Sequence, residues 1–197
     1  MKFLVVGSTG LIGSYVAKTL SKHGTVIGVS RTTQISVDVK DPASIKAMYE
    51  KVGKVDAVAS CIGKVAFKPV AELTYEDYLM GLKDKALGQV ELVRAGIDFL
   101  NDAGSFTLMT GVLARDPIPA GSVAALANGA IESFTLAAAI DLPRGIRINT
   151  VSPNVLVEAT SYHASFPGFH QVTAQSVADA YVKSILGKQT GQIYKLD

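Results

Sequence analysis

KFLVVGSTGLIGSYVAKTL, residues 2–20, is the stretch from which the rest of the chain can be read. Phe3 to Val6 form an apolar run short and branched enough to be a buried strand. Gly7, Gly10 and Gly13 follow, and then a helical pattern carrying Leu11, Ile12, Tyr15, Val16 and Leu20. Strand, glycine turn and helix are what a dinucleotide site needs. Gly7 allows a sharp exit from the strand. Gly10 lets backbone approach a pyrophosphate, and Gly13 lets the helix pack closely. The free N–H groups at the helix start would face the phosphates, with the helix dipole behind them. Ser8 and Thr9 offer two hydroxyl donors to the same anion. The spacing is G-x-x-G-x-x-G rather than G-x-G-x-x-G, so the flanking strand and helix carry the argument more than the glycines do.

Composition narrows the field. The chain has 197 residues, 48% of them hydrophobic, with a formal net charge of +2. That length suits one domain, residues 1–197, with a sizeable core. No apolar run approaches the ~20 residues of a membrane span. The run after Lys2 is too short for a signal-peptide core. Lys and Arg are scattered, which argues against a nucleic-acid footprint. The one cysteine, Cys61, leaves no disulfide and no zinc spacing, and a cytoplasmic setting is expected. No metal site is expected.

Strands alternate with helices along the chain. Expected strands are 3–6, 25–29, 35–39, 56–61, 105–109, 146–152 and 191–196. Gly24 is expected to cap the first helix in the left-handed region. Asp41 should cap the next, with Pro42 in its first turn. Thr74 should start another, and Ser122 should cap a long apolar helix reaching Asp141. The fold class expected is α/β, a doubly wound parallel sheet with helices on both faces and ligands at the carboxyl ends of the strands. The end of the second strand reads Ser30-Arg31-Thr32, with no acid to take a ribose 2′-hydroxyl. A guanidinium between two hydroxyls suits a 2′-phosphate, which points to NADP rather than NAD.

These motifs resemble those of the short-chain dehydrogenase/reductase superfamily. The resemblance rests on GSTGLIG at 7–13, DV at 38–39, the glycine turn at 61–63, LPRGIRINTVSP at 142–153 and QTGQIY near the end. It implies a Rossmann-type sheet of order 3-2-1-4-5-6-7. It also implies that Asp38 and Val39 border the adenine, Cys61, Ile62 and Gly63 the ribose, and Pro153 to Val155, Pro153 and Val155 included, the nicotinamide. A homodimer or tetramer through the long apolar helix and the one before it is implied as well.

The family's catalytic positions depart from the pattern. Where members carry a tyrosine and, four residues on, a lysine, this chain aligns Ala124 and Asn128. Gly111 falls at the serine position, beside Thr110, the one hydroxyl there to meet a carbonyl substrate. The family's asparagine in the fourth helix aligns with Lys85. Lysine and asparagine have therefore exchanged places: Lys85 would deliver the ammonium and Asn128 would bond to it, unless Lys85 points to water. Two functions stay open. One is an NADP-dependent oxidoreductase acting on an unknown carbonyl or alcohol through Lys85, Asn128 and Thr110. The other is a catalytically inactive NAD(P)-binding sensor or scaffold.

Overall fold

The computed structural model describes residues 1–197. Its strands are β1 (Lys2–Val6), β2 (Thr25–Val29), β3 (Val55–Ser60), β4 (Leu100–Met109), β5 (Arg147–Pro153) and β6 (Ile193–Leu196). They form one parallel sheet of order β2-β1-β3-β4-β5-β6. The helices are α1 (Leu11–Leu20), α2 (Pro42–Val52), α3 (Tyr75–Gly81), α4 (Gly88–Gly96), α5 (Ser122–Ala138) and α6 (Ala174–Leu186). The architecture is Rossmann-like.

Strand alternation builds two cores. Leu4, Val6, Val58, Phe106 and Ile148 pack with residues of α2, α4 and α5. Phe3, Val5, Ala57, Ala59 and Val151 pack with α1 and α6. With both faces covered, the strands are apolar on both sides, which is why they read as continuous hydrophobic runs. No helix is long and apolar enough to cross a membrane.

The expected order holds without its outer member: the expected third strand, at 35–39, is absent, so the sheet has six strands rather than seven. Residues 35–39 touch the sheet only through a parallel bridge between Ser30 and Ser36. The cause is local hydroxyl chemistry. Ser30 N–H donates to Thr33 Oγ1 at 2.7 Å and Thr32 N–H to Ser30 Oγ at 3.2 Å, which turns the chain away. Asp38 N–H donates to Ser44 Oγ at 2.9 Å instead of to a ladder. Such competition by short hydroxyl side chains decides an edge strand that has one neighbour.

Three smaller expectations also shift. α1 ends at Leu20 with Ser21 as its cap, and Gly24 is not left-handed; a Cβ there would run into the Met1 carbonyl. Gly121, not Ser122, is the cap residue of α5, which stops at Ala138. Between α3 and α4 the helix widens into a π-helical turn over Leu82–Leu87, a form that recurs at functional sites. Asp41 and Thr74 cap α2 and α3 as expected, through Ala43 N–H at 2.9 Å and Asp77 N–H at 3.2 Å.

Register brings the working ends together. Val6 pairs with Val29 on one side and Ser60 on the other, Met109 with Val151, and Pro153 with Leu196. Gly7, Ser30, Cys61, Thr110 and Asn154 therefore leave the sheet along one edge.

Candidate active site

Two cavities lie along that edge. The first, about 320 Å³, is entered by the glycine turn. Gly7 has φ +85°, and a Cβ there would lie 2.6 Å from the Cys61 carbonyl. A Cβ on Gly13 would run into the Gly7 carbonyl, so α1 packs directly on its own turn. Gly10 differs: an added Cβ would meet only the Gly7 carbonyl, at 3.3 Å. α1 starts at Leu11, and the amides of its first turn have no acceptor within the helix.

Gly7, Thr9 and Gly10 line this cavity together with Ser30, Arg31 and Thr32. Asp38 and Val39 line it too, as do Cys61, Ile62 and Gly63. Three expected contributors line neither cavity. The Ser8 hydroxyl points to the Val29 carbonyl, 3.4 Å away, and crowds Gly28. Leu11 is exposed, and Gly13 is buried beneath the turn. Lys64 lines it as well, and Lys40 and Asp84 line it without having been expected. Asp84 Oδ1 accepts from Lys64 N–H at 2.8 Å, which ties the β3 turn to the π-helical turn.

The second cavity, about 350 Å³, adjoins the first through Cys61, Ile62, Gly63 and Lys64, which line both. Lys85, Thr110, Asn128, Pro153 and Val155 all line it, as do Ile12, Gly111 and Ala124. The i, i+4 spacing of Ala124 and Asn128 puts both on one face of α5.

Lys85 is half-buried on the π-helical turn and forms no ion pair. Burial holds its ammonium down at about 8, with Asp84 opposing the shift. Gln89, fully buried, fixes this segment. Its amide donates to the Lys85 carbonyl at 3.0 Å and the Met109 carbonyl at 2.9 Å, and accepts from Met109 N–H at 2.8 Å. Asn128 Nδ2 donates to the Gly111 carbonyl at 3.3 Å, and its Oδ1 is buried without a partner. No direct hydrogen bond joins Lys85 to Asn128, although they share the cavity.

The Thr110 hydroxyl turns to Glu132 Oε1, 3.0 Å away, rather than waiting for a carbonyl. The Ser152 hydroxyl donates to the same oxygen at 3.0 Å. Arg115 donates to Ser152 Oγ at 2.8 Å and reaches Asp197. Glu132 had given no signal in the sequence; its role follows from helical spacing, one turn beyond Asn128. Cys61 is a structural hydrophobe at the strand end, its thiol pushed up to about 12 by burial.

A family model described as enoyl-(acyl carrier protein) reductase matches residues 10–191. A crystal structure of a protein from Listeria innocua is 49% identical, superimposes with a TM-score of 0.98 and covers 100% of both chains. A small-chain dehydrogenase in complex with NADPH is 27% identical with a TM-score of 0.89, covering 100% of this chain and 96% of that one. The tetrahydroxynaphthalene reductase of Pyricularia oryzae is 27% identical over 187 residues, 82% of this chain and 66% of its own length. The chain thus spans about two thirds of the naphthalene reductases it matches. With nearly its whole length matched by the family model, the chain belongs to the short-chain dehydrogenase/reductase family.

Proposed function

We propose that this chain is an NADP-dependent oxidoreductase that interconverts a carbonyl and an alcohol, with Lys85 as its proton-handling residue. The observation that carries this reading is the meeting of Lys85 and Asn128 in one cavity that adjoins the glycine-turn cavity. The residues present fit a dinucleotide. Gly10 lines the cavity without a side chain, α1 presents its amides, and Arg31 with Ser30 and Thr32 lines the same cavity at the end of β2. Likeness to a dehydrogenase that binds NADPH supports the same cofactor here.

The cofactor, when bound, supplies or takes the hydride. Lys85 Nζ holds a proton for the oxygen of the reacting carbonyl, and an amine held near 8 is matched to that task at neutral pH. Asn128 holds the Gly111 backbone through its amide, while its Oδ1 is buried without a partner. Pro153 and Val155 close the cavity from β5. The whole chain, 1–197, acts as one nucleotide-binding unit in the cytoplasm. It pairs with copies of itself through α5, where Leu126 and Leu136 are exposed.

A second reading has its own observation. Ala124 stands at the family's tyrosine position, packed with Val112, Leu113 and Ile118, and moves no proton. On that reading the chain binds NADP as a sensor without turnover. Calorimetric titration with NADPH and NADH, beside Arg31→Ala, tests the cofactor. A screen of carbonyl substrates with Lys85→Ala as control tests turnover. Tight NADPH binding with no turnover on any carbonyl substrate favours the sensor; no binding of either cofactor removes both readings.

A further inference from the structure

The Lys85 amine has no hydrogen bond and no ion pair within the chain, yet it is not sealed from solvent. The arm that carries it is held. Gly63 leaves the gap in which Lys85 Cβ, Cγ and Cδ lie, and Gln89 donates to the Lys85 carbonyl at 3.0 Å. Lys85 thus stands on the wall of the 350 Å³ cavity with its nitrogen uncommitted.

The surroundings favour the neutral form of that nitrogen. The lining is mostly apolar, with Ile12, Ile62, Val65 and Met109 part of it, and it contains no carboxylate. Asp84 lines only the outer cavity, where its Oδ1 accepts from Lys64 N–H at 2.8 Å. Lys64 is a second cation on the inner cavity. An apolar pocket and a neighbouring cation are the two conditions that make a lysine a nucleophile. With its ammonium held down at about 8, an appreciable share of Lys85 is neutral near pH 7, where an ordinary lysine is almost wholly protonated. Lys64, Asn154 and Tyr162 line the same cavity and supply donors for a carbonyl oxygen.

We propose that Lys85 is a covalent site: its amine condenses with an aldehyde that enters the inner cavity and holds it as a protonated imine. The neutral amine adds to the carbonyl carbon, forming a C–N bond, and one N–H proton passes to the oxygen. That oxygen then leaves as water with one proton from solvent, and the C=N bond forms. No electrons are gained or lost, so the step needs neither the cofactor nor the oxidoreductase reading. It differs from proton transfer, in which Lys85 makes no bond to carbon.

Reductive trapping on the full chain tests this. The protein is treated with propanal and sodium cyanoborohydride near neutral pH, and each lysine is followed by peptide mass mapping. The expected result is a propyl group on Lys85 at a rate at least roughly tenfold above that of any other lysine. The ranking is read on the wild-type chain, so it does not depend on a variant folding. Lys85→Arg should lose that label while the other lysines keep theirs. Labelling of Lys85 no faster than of the other lysines overturns the proposal, and NADPH-dependent turnover of a carbonyl substrate in the same protein would leave the oxidoreductase reading standing. A parallel sample with NADPH in place of cyanoborohydride separates the two further. Label on Lys85 from NADPH alone upholds both, because a hydride then reaches the imine carbon. Label with cyanoborohydride but not with NADPH upholds the covalent site and counts against hydride delivery beside Lys85.

Discussion

The stem of Lys85 lies on Gly63 so closely that a Cβ at Gly63 would come within 2.6 Å of Lys85 Cγ. Gly63 also has φ +135°, a backbone region that side chains rarely enter. The lysine thus owes its place in the cavity to a missing side chain on the opposite loop. Gly63→Ala should cost about 1–3 kcal/mol in thermal denaturation. It should also push Lys85 aside, and turnover should fall further than NADPH affinity does. Equal losses in both would separate Lys85 from the chemistry.

The glycine turn makes a contrasting pair. Gly10→Ala should weaken NADPH binding by roughly tenfold and move the melting temperature much less than Gly13→Ala does, because its Cβ would meet only the Gly7 carbonyl, at 3.3 Å. Gly13→Ala should destabilise the protein itself, since its Cβ would collide with the Gly7 carbonyl. Calorimetry and thermal melts on both variants decide between a binding and a packing role for each.

Arg31→Ala should reduce NADPH affinity roughly ten- to a hundredfold and leave NADH affinity nearly unchanged. Equal losses for the two cofactors would mean that Arg31 contacts something other than a 2′-phosphate.

Lys85 also makes stability depend on pH. Its ammonium loses its proton near 8 in the folded chain and at its ordinary, higher value when unfolded. Between those values the unfolded state binds more protons, so stability should rise with pH from about 8 upward until the unfolded lysine also deprotonates. Lys85→Met should abolish that rise and raise stability at pH 7, because a half-buried ammonium without an ion-pair partner is removed. Turnover that needs the protonated amine should fall as pH passes about 8. Urea denaturation from pH 6 to 11 and a pH–rate profile check the two effects separately.

The exposed leucines of α5 make association testable. Light scattering at micromolar concentration should report a dimer or tetramer, and Leu136→Asp should shift it toward monomer. A wild-type monomer would remove the pairing.

The strand–turn–helix unit at 2–20 was legible in the sequence because each of its steps is local. The β1 pattern, the glycine positions and the helical period lie within twenty residues. α6, from Ala174 to Leu186, was legible for the same reason. The outer strand at 35–39 was misread because its apolar alternation is real, but hydroxyls of Ser30, Thr33 and Ser44 take up backbone groups that a ladder needs. Only the tertiary structure decided which side chains meet. Thr110 turns to Glu132, Ser8 turns to Val29, and Gln89 ties the Lys85 segment to the end of β4. Each of these choices depends on a partner distant in sequence and brought near by sheet register. The sequence by itself determined a parallel sheet with a glycine turn at its edge, because periodicity and backbone freedom are encoded residue by residue. The inner cavity, where Lys85 and Asn128 meet, was decided only when β3, the π-helical turn, β4 and α5 packed together.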